Sequence, residues 1–187
     1  MDDIVILYKR EYKAEMERFR DDLSKRFPMR NLGELKWFLG VRVIRDRANR
    51  KAWLCQDSYI EKIAHRFNLT EERMPATSVP IQKPTKNPQQ ASAERILEYQ
   101  QKVGSALFAT IITRPDAARA VNKLSEYNLN PSSEHLDSVN RVIQYLYGTR
   151  HYAIEYGPTE ELKQLIAASN AAFGNNEDRK STEAFVI

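Results

Sequence analysis

Apolar spacing changes period three times within the first 69 residues. Residues 4–8, Ile-Val-Ile-Leu-Tyr, form an unbroken apolar run that predicts a short buried strand. From about residue 11 to 27, Tyr12, Met16, Phe19, Leu23 and Phe27 recur at three- and four-residue steps, the spacing of a helix that lays one face on a sheet, with Pro28 helping to end it. Over residues 35–44 the period becomes two. Trp37, Leu39, Val41 and Val43 alternate with Lys36, Phe38, Gly40 and Arg42, and a second run at 52–56 follows a basic turn, so a β-hairpin is expected. Ser58-Tyr59-Ile60-Glu61 matches a capping box, and Ile60, Ile63, Ala64 and Phe67 mark one face of a helix ending near Asn68 and packing beside the hairpin.

Residues 70–93 carry Pro75, Pro80, Pro84 and Pro88 and almost no apolar periodicity, the composition of an extended linker. Helical spacing returns in three stretches: 94–113, 115–127 opening on Pro115, and 132–147 stopped by Gly148, with Leu136, Val139, Ile143 and Leu146 as the buried stripe of the last. Short strand-like runs follow at 152–156, 165–168 and 185–187. The architecture expected is α+β, in four parts: 1–69, a linker at 70–93, a helical region at 94–148, and 149–187.

Composition narrows the functional classes. With 42% hydrophobic and 29% charged residues the chain has the make-up of a folded protein rather than a disordered one. The net charge of +4 is modest, so any argument for a polyanionic partner must rest on local charge. The single Cys55 rules out an internal disulfide and is read as a small buried side chain, while His65, His135 and His151 are too scattered for a zinc spacing. His135 is read as a capping or surface residue rather than a catalytic one. The residues after Met1 lack the pattern of a signal peptide, and no apolar run reaches membrane-spanning length. An intracellular location, cytoplasmic or nuclear and without a membrane partner, is the expectation.

Charge does concentrate in one place. Lys36, Arg42, Arg45, Arg47, Arg50 and Lys51 face one acid within the hairpin, Asp46, for a local excess of +5. That is the pattern of a phosphate track. Trp37, Phe38 and Trp53 are interleaved with it and could stack on bases, although burial is the preferred reading for both tryptophans. At the other end of the candidate chemistry, Asp2 and Asp3 precede the apolar run of residues 4–8, where paired carboxylates at a strand end could hold Mg²⁺ against substrate phosphates.

Several motifs, taken in order, resemble the copia-type retrotransposon reverse transcriptases. Met1-Asp2-Asp3-Ile4 is similar to the second half of the family's Tyr-Val-Asp-Asp loop and its following strand. Leu32-Gly33-Glu34-Leu35-Lys36-Trp37-Phe38-Leu39-Gly40 resembles Leu-Gly-Glu-Leu-Lys-Tyr-Phe-Leu-Gly, and Gln56 with Tyr59-Ile60 resembles Gln-x-x-Tyr-Ile. Val103-Gly104-Ser105, Thr113-Arg114-Pro115-Asp116, Asn130-Pro131, Glu134-His135, Tyr145-Leu146-x-Gly148-Thr149 and Asp178-Arg179-Lys180-Ser181-Thr182 continue the resemblance along nearly the whole chain.

The resemblance implies a stretch from the end of a palm (1–69), through a linker and a thumb or connection region, into the start of an RNase H domain (149–187). It implies RNA-directed DNA polymerase and RNase H activity for the family, with a third palm aspartate and the nucleotide-binding fingers lying before Met1. Asp2 and Asp3 would then be a vestigial pair, with Mg²⁺ expected only where a complete polymerase site is assembled and no cofactor held tightly otherwise. Asn170 stands where the family's RNase H has a metal-binding aspartate, within Ser169-Asn170-Ala171-Ala172-Phe173. The expectation is a catalytically incomplete remnant that binds primer-template or RNA·DNA hybrid weakly and non-specifically through Lys36, Trp37, Arg42, Arg45, Arg47, Arg50 and Lys51. Two alternatives stand beside it: a fragment of an active polymerase that needs upstream fingers and palm, and a domesticated module whose palm edge serves a protein partner or self-association.

Overall fold

In a computed structural model, which describes residues 4–70, 74–79, 85–158, 168–172 and 182–186, local chemistry decides where most elements start and stop. Residues 4–9 form neither helix nor strand and leave Ile4, Leu7 and Tyr8 exposed, so the strand expected at 4–8 does not form. An apolar run becomes a strand only where a neighbour takes its backbone groups, and among the described residues none does. A single 3₁₀ turn (Arg10–Tyr12) leads into α1 (Lys13–Arg26). The three- and four-residue spacing does make a helix, but none of its residues is buried and Phe19 is 55% exposed, so among the described residues it covers no sheet.

The expected hairpin is a three-stranded meander. Leu39 and Gly40 both have positive φ (50° and 79°), the requirement of a two-residue type I′ turn, and they fold β1 (Trp37–Phe38) back on β2 (Val41–Asp46). Trp37 therefore lies across from Arg42 rather than in line with Val41 and Val43, which reverses the face expected for it. A second turn, in which the Asp46 carboxylate accepts the backbone N–H of Asn49, joins β2 to β3 (Lys51–Cys55). β4 (Ile154–Tyr156) then adds antiparallel to the far side of β3, giving the order β1-β2-β3-β4.

Four helices make the main core: α2 (Asp57–Arg66), α3 (Ala93–Ile112), α4 (Ala118–Ser125, entered through the 3₁₀ turn Pro115–Ala117) and α5 (Ser133–Gly148). Ile60, Ile63 and Ala64 of α2 share one cluster with Tyr99, Val103, Val121, Leu124, Val139, Ile143 and Leu146. The apolar face read for α2 is thus correct, but it turns toward the helices and not toward the hairpin. Nor does the Ser58/Glu61 capping box form. Gln56 occupies the N-cap without a side-chain cap, because its own side chain is buried and its Oε1 accepts from Thr113 Oγ1 at 2.8 Å. A capping box does form at α5, with His135 in the place usually held by Glu or Gln.

Gly148 is the last residue of α5, yet a left-handed turn is not what it supplies. A Cβ there would meet Met74 Cβ at 2.7 Å, so the glycine lets residues 74–79 approach the helix end. The chain divides into two compact units, Met1–Tyr156 and Gly157–Ile187. In the second, β5 (Ala168–Ala172) pairs antiparallel with β6 (Thr182–Val186). No helix among the described residues is long and apolar enough to cross a membrane.

Candidate nucleic-acid interface

Sheet alternation assigns the hairpin side chains to two faces. Trp37, Arg42, Ile44, Lys51, Trp53 and Glu155 share one of them; Phe38, Val41, Val43, Arg45, Leu54 and Ile154 share the other. Trp37 is 50% exposed and the Arg42 guanidinium sits 5.8 Å from its ring centroid, so the burial expected for Trp37 is overturned. Trp53 is half-buried and its indole Nε1 donates to Glu155 Oε2 at 2.7 Å. Ile44, 43% exposed, pairs across the strands with Trp53 and extends the apolar surface of that face.

The basic residues are less alike than their spacing suggests. Arg42 Nη1 donates to Asp57 Oδ2 at 2.6 Å; burial opposes ionisation of Asp57, but the Ser58 amide and Arg42 outweigh it and hold the carboxyl below its usual range. Arg47 donates through Nε and Nη2 to Glu34 Oε1 at 2.9 and 2.6 Å, which lowers the Glu34 pKa. Lys51 Nζ donates to Glu155 Oε1 at 2.7 Å, and this bond, with that from Trp53, lowers the Glu155 pKa. Lys36, Arg45 and Arg50 show no ion pair among the described residues, and Arg50 caps the second turn with φ 57°.

Three carboxylates outside the hairpin segment thus join Asp46 around the six cations, reducing the local excess from five charges to two. Asp57 could have been found from register alone, since Arg42 pairs with Cys55 at the strand end that runs into α2. Glu155 could not: it lies 104 residues from Lys51 and arrives only with β4. Cys55 is buried, with its thiol against the Arg150 carbonyl at 3.4 Å and its pKa raised by burial, in line with the small-hydrophobe reading.

Several motif residues that suggested a family turn out to wire the helices together. Arg114, 1% exposed, donates to both carboxylate oxygens of Asp116 (2.9 and 2.7 Å), to the Thr149 carbonyl (3.0 Å) and to Thr149 Oγ1 (2.6 Å). Tyr145 donates to Asp116 Oδ2 at 2.7 Å. Tyr59 donates to the Ser105 carbonyl at 3.0 Å, and Asn130 accepts from the Ala91 amide at 2.8 Å and donates to the carbonyls of Asn87 and Gln89. His135 is fully buried and stacked on Tyr127 at 4.0 Å, so of the two roles read for it the cap is correct and surface exposure is not.

Asp2 and Asp3 lie outside the described residues. Asn170 is in β5 opposite Ala184. Among the described residues no three His, Cys, Asp or Glu side chains gather to hold a metal ion.

Residues 1–83 match the family model of reverse transcriptase (RNA-dependent DNA polymerase). The chain is 31% identical over 194 residues to a retrovirus-related Pol polyprotein from transposon TNT 1-94 of Nicotiana tabacum, an alignment that covers 100% of this chain and 14% of the relative. It is 31% identical over 150 residues to a transposon Ty5-1 protein of Saccharomyces cerevisiae (80% of this chain, 48% of the relative). A Pol polyprotein from transposon RE1 of Arabidopsis thaliana is 31% identical over 174 residues (89% and 11%). The chain therefore spans between about a tenth and a half of these relatives. No solved structure matches it significantly.

Proposed function

Starting from the premise that this chain belongs to the copia-type reverse-transcriptase family, we propose that it is a nucleic-acid-contacting stretch of a transposon Pol protein, holding RNA or DNA through the phosphate backbone without sequence preference. In this reading residues 1–69 are the palm end and start of the thumb, 70–93 a linker, 94–148 the thumb and connection helices, and 149–187 an RNase H-like region. The observation that carries it is the set of exposed cations Lys36, Arg45 and Arg50, which form no ion pair among the described residues, together with the half-exposed Trp37 on the face of the sheet opposite Arg45. Exposed cations that are not locked in ion pairs can exchange counterions for phosphates, and an exposed indole offers a stacking surface.

Polymer synthesis belongs, in this reading, to an assembled site in which Asp2 and Asp3 join further carboxylates around Mg²⁺. Hydrolysis is disfavoured by Asn170, whose amide cannot supply the charge of the aspartate that it replaces. The exposed apolar residues Ile4, Leu7, Phe19 and Phe27 support a second reading, in which this surface docks on another protein or on a second copy. Light scattering separates the two, because a stable dimer without nucleic-acid affinity favours the second.

The direct test is fluorescence anisotropy with a labelled RNA·DNA hybrid at several salt concentrations. With three cations that form no ion pair among the described residues, log affinity against log salt should have a slope of about −2 to −3, from about −0.9 per neutralised phosphate. Trp37→Ala should lower affinity at every salt concentration while costing stability only about 1–2 kcal/mol, well below the 3–5 kcal/mol of a buried tryptophan. Absence of binding at low salt removes the reading.

A further inference from the structure

The N-terminal segment and the tip of the hairpin enclose a cleft of about 560 Å³ lined by Ile6, Leu7, Tyr8, Arg10, Lys13, Arg45 and Arg47. Four of these side chains are cationic, and they come from two parts of the chain that the hairpin motif alone does not connect. Arg10 stands in the 3₁₀ turn, Lys13 opens α1, Arg45 lies near the end of β2 and Arg47 begins the second turn. Their acid partners are few and exposed: Glu17 lies 3.8 Å from Lys13 and Glu34 pairs with Arg47, while Arg10 and Arg45 show no ion pair among the described residues. Exposed pairs of this kind contribute little and yield readily to a competing anion. Ile6 and the exposed Leu7 add apolar surface to the lining, and the half-exposed ring of Tyr8 stands among them.

We propose that this cleft is a single-strand site, taking a short run of phosphodiesters on Arg10, Lys13, Arg45 and Arg47 with a base or sugar against Tyr8. A base can lie against the Tyr8 ring only when it is unpaired, so the arrangement suits a single strand and not a double helix. Cations that converge on a backbone with an aromatic ring among them are the combination by which single strands are held without sequence readout. The inference rests on the nucleic-acid reading above and adds to it Arg10, Lys13 and Tyr8, which lie outside the hairpin, together with a preference for unpaired strand.

The test uses the whole chain and fluorescein-labelled oligothymidylate and oligouridylate of about 10 nucleotides, each against a blunt duplex of the same length. Both single strands should bind several-fold more tightly than the duplex, since the phosphodiester and not the sugar is recognised. Arg10→Gln/Arg45→Gln should flatten the single-strand salt slope by roughly 1 to 1.5, at about −0.7 per phosphate, whereas Lys62→Gln/Arg95→Gln, the same charge change elsewhere on the surface, should leave it unchanged. Tyr8→Ala should weaken binding roughly tenfold with the slope intact. If wild type binds but Arg10→Gln/Arg45→Gln behaves as the control pair does, or if the duplex binds as well as the single strands, the cleft is not the site while the broader reading stands. If wild type binds none of the probes, the broader reading falls first.

Discussion

His135 shows how much one side chain's environment can alter what its sequence position suggests. A histidine three residues after Ser132, at the start of an amphipathic helix, reads as a capping or surface residue. In the structure the Ser132 amide donates to its Nδ1 at 2.8 Å, which requires that nitrogen to be an unprotonated acceptor and places the ring proton on Nε2. Nε2 is buried beside the Thr85 backbone without a well-formed hydrogen bond, and Tyr127 covers the ring face. Burial lowers the His135 pKa, against smaller raising effects of the Thr85 backbone and the Glu134 carboxylate. Because the folded pKa lies below the unfolded one, the unfolded chain binds the proton first. Stability should be fully present above the unfolded value of about 6.5 and decline as pH falls through that value toward the folded one. Urea denaturation between neutral and mildly acidic pH should show this decline in wild type and a smaller one in His135→Gln; equal declines would place the pH sensitivity elsewhere.

Among the elements, the turn between β1 and β2 holds the most consequential detail. Leu39 adopts φ 50° with its side chain 57% exposed, a conformation that costs an ordinary residue about 1–2 kcal/mol and a glycine much less. Leu39→Gly should therefore stabilise the protein, by about 0.5–1 kcal/mol once the extra freedom of the unfolded glycine is deducted, with the midpoint of urea unfolding as the measurement. The same turn explains where the sequence reading stopped. Alternation over residues 35–44 located β structure correctly, but period-two spacing carries no information about a reversal of direction, and a leucine at a positive-φ position gives no warning of one. The helices were legible nearly to their ends, because Ser92, Pro115 and Ser132 start them by known chemistry and the Val139/Ile143/Leu146 stripe needs only local spacing. That α1 and residues 4–8 bury no apolar face among the described residues was not legible, since an apolar face specifies a partner's polarity and not its presence.

At the scale of the whole molecule, long-range contacts decide both stability and charge. Gly148→Ala should destabilise the protein despite the better helix propensity of alanine, because the new methyl group meets Met74 at its Cβ and Cγ, at the root of the side chain where a rotamer change gives no relief. An expected loss of about 1–3 kcal/mol by urea denaturation distinguishes this from the small gain that propensity alone would give. The candidate interface was only half legible for the same reason: the six cations are visible in one segment, whereas the acids that offset three of them come from Glu34, Asp57 and Glu155. Of these, Glu155 has a consequence in time. β3 is made early, but the strand that completes its pairing follows α5, so during synthesis the hairpin must wait for all the intervening helices before β4 can close on it. Until then Lys51 lacks its carboxylate and the Trp53 indole N–H lacks its acceptor. The nascent chain is thus more basic at this edge than the finished one, and arrival of β4 sets the charge at which the interface operates.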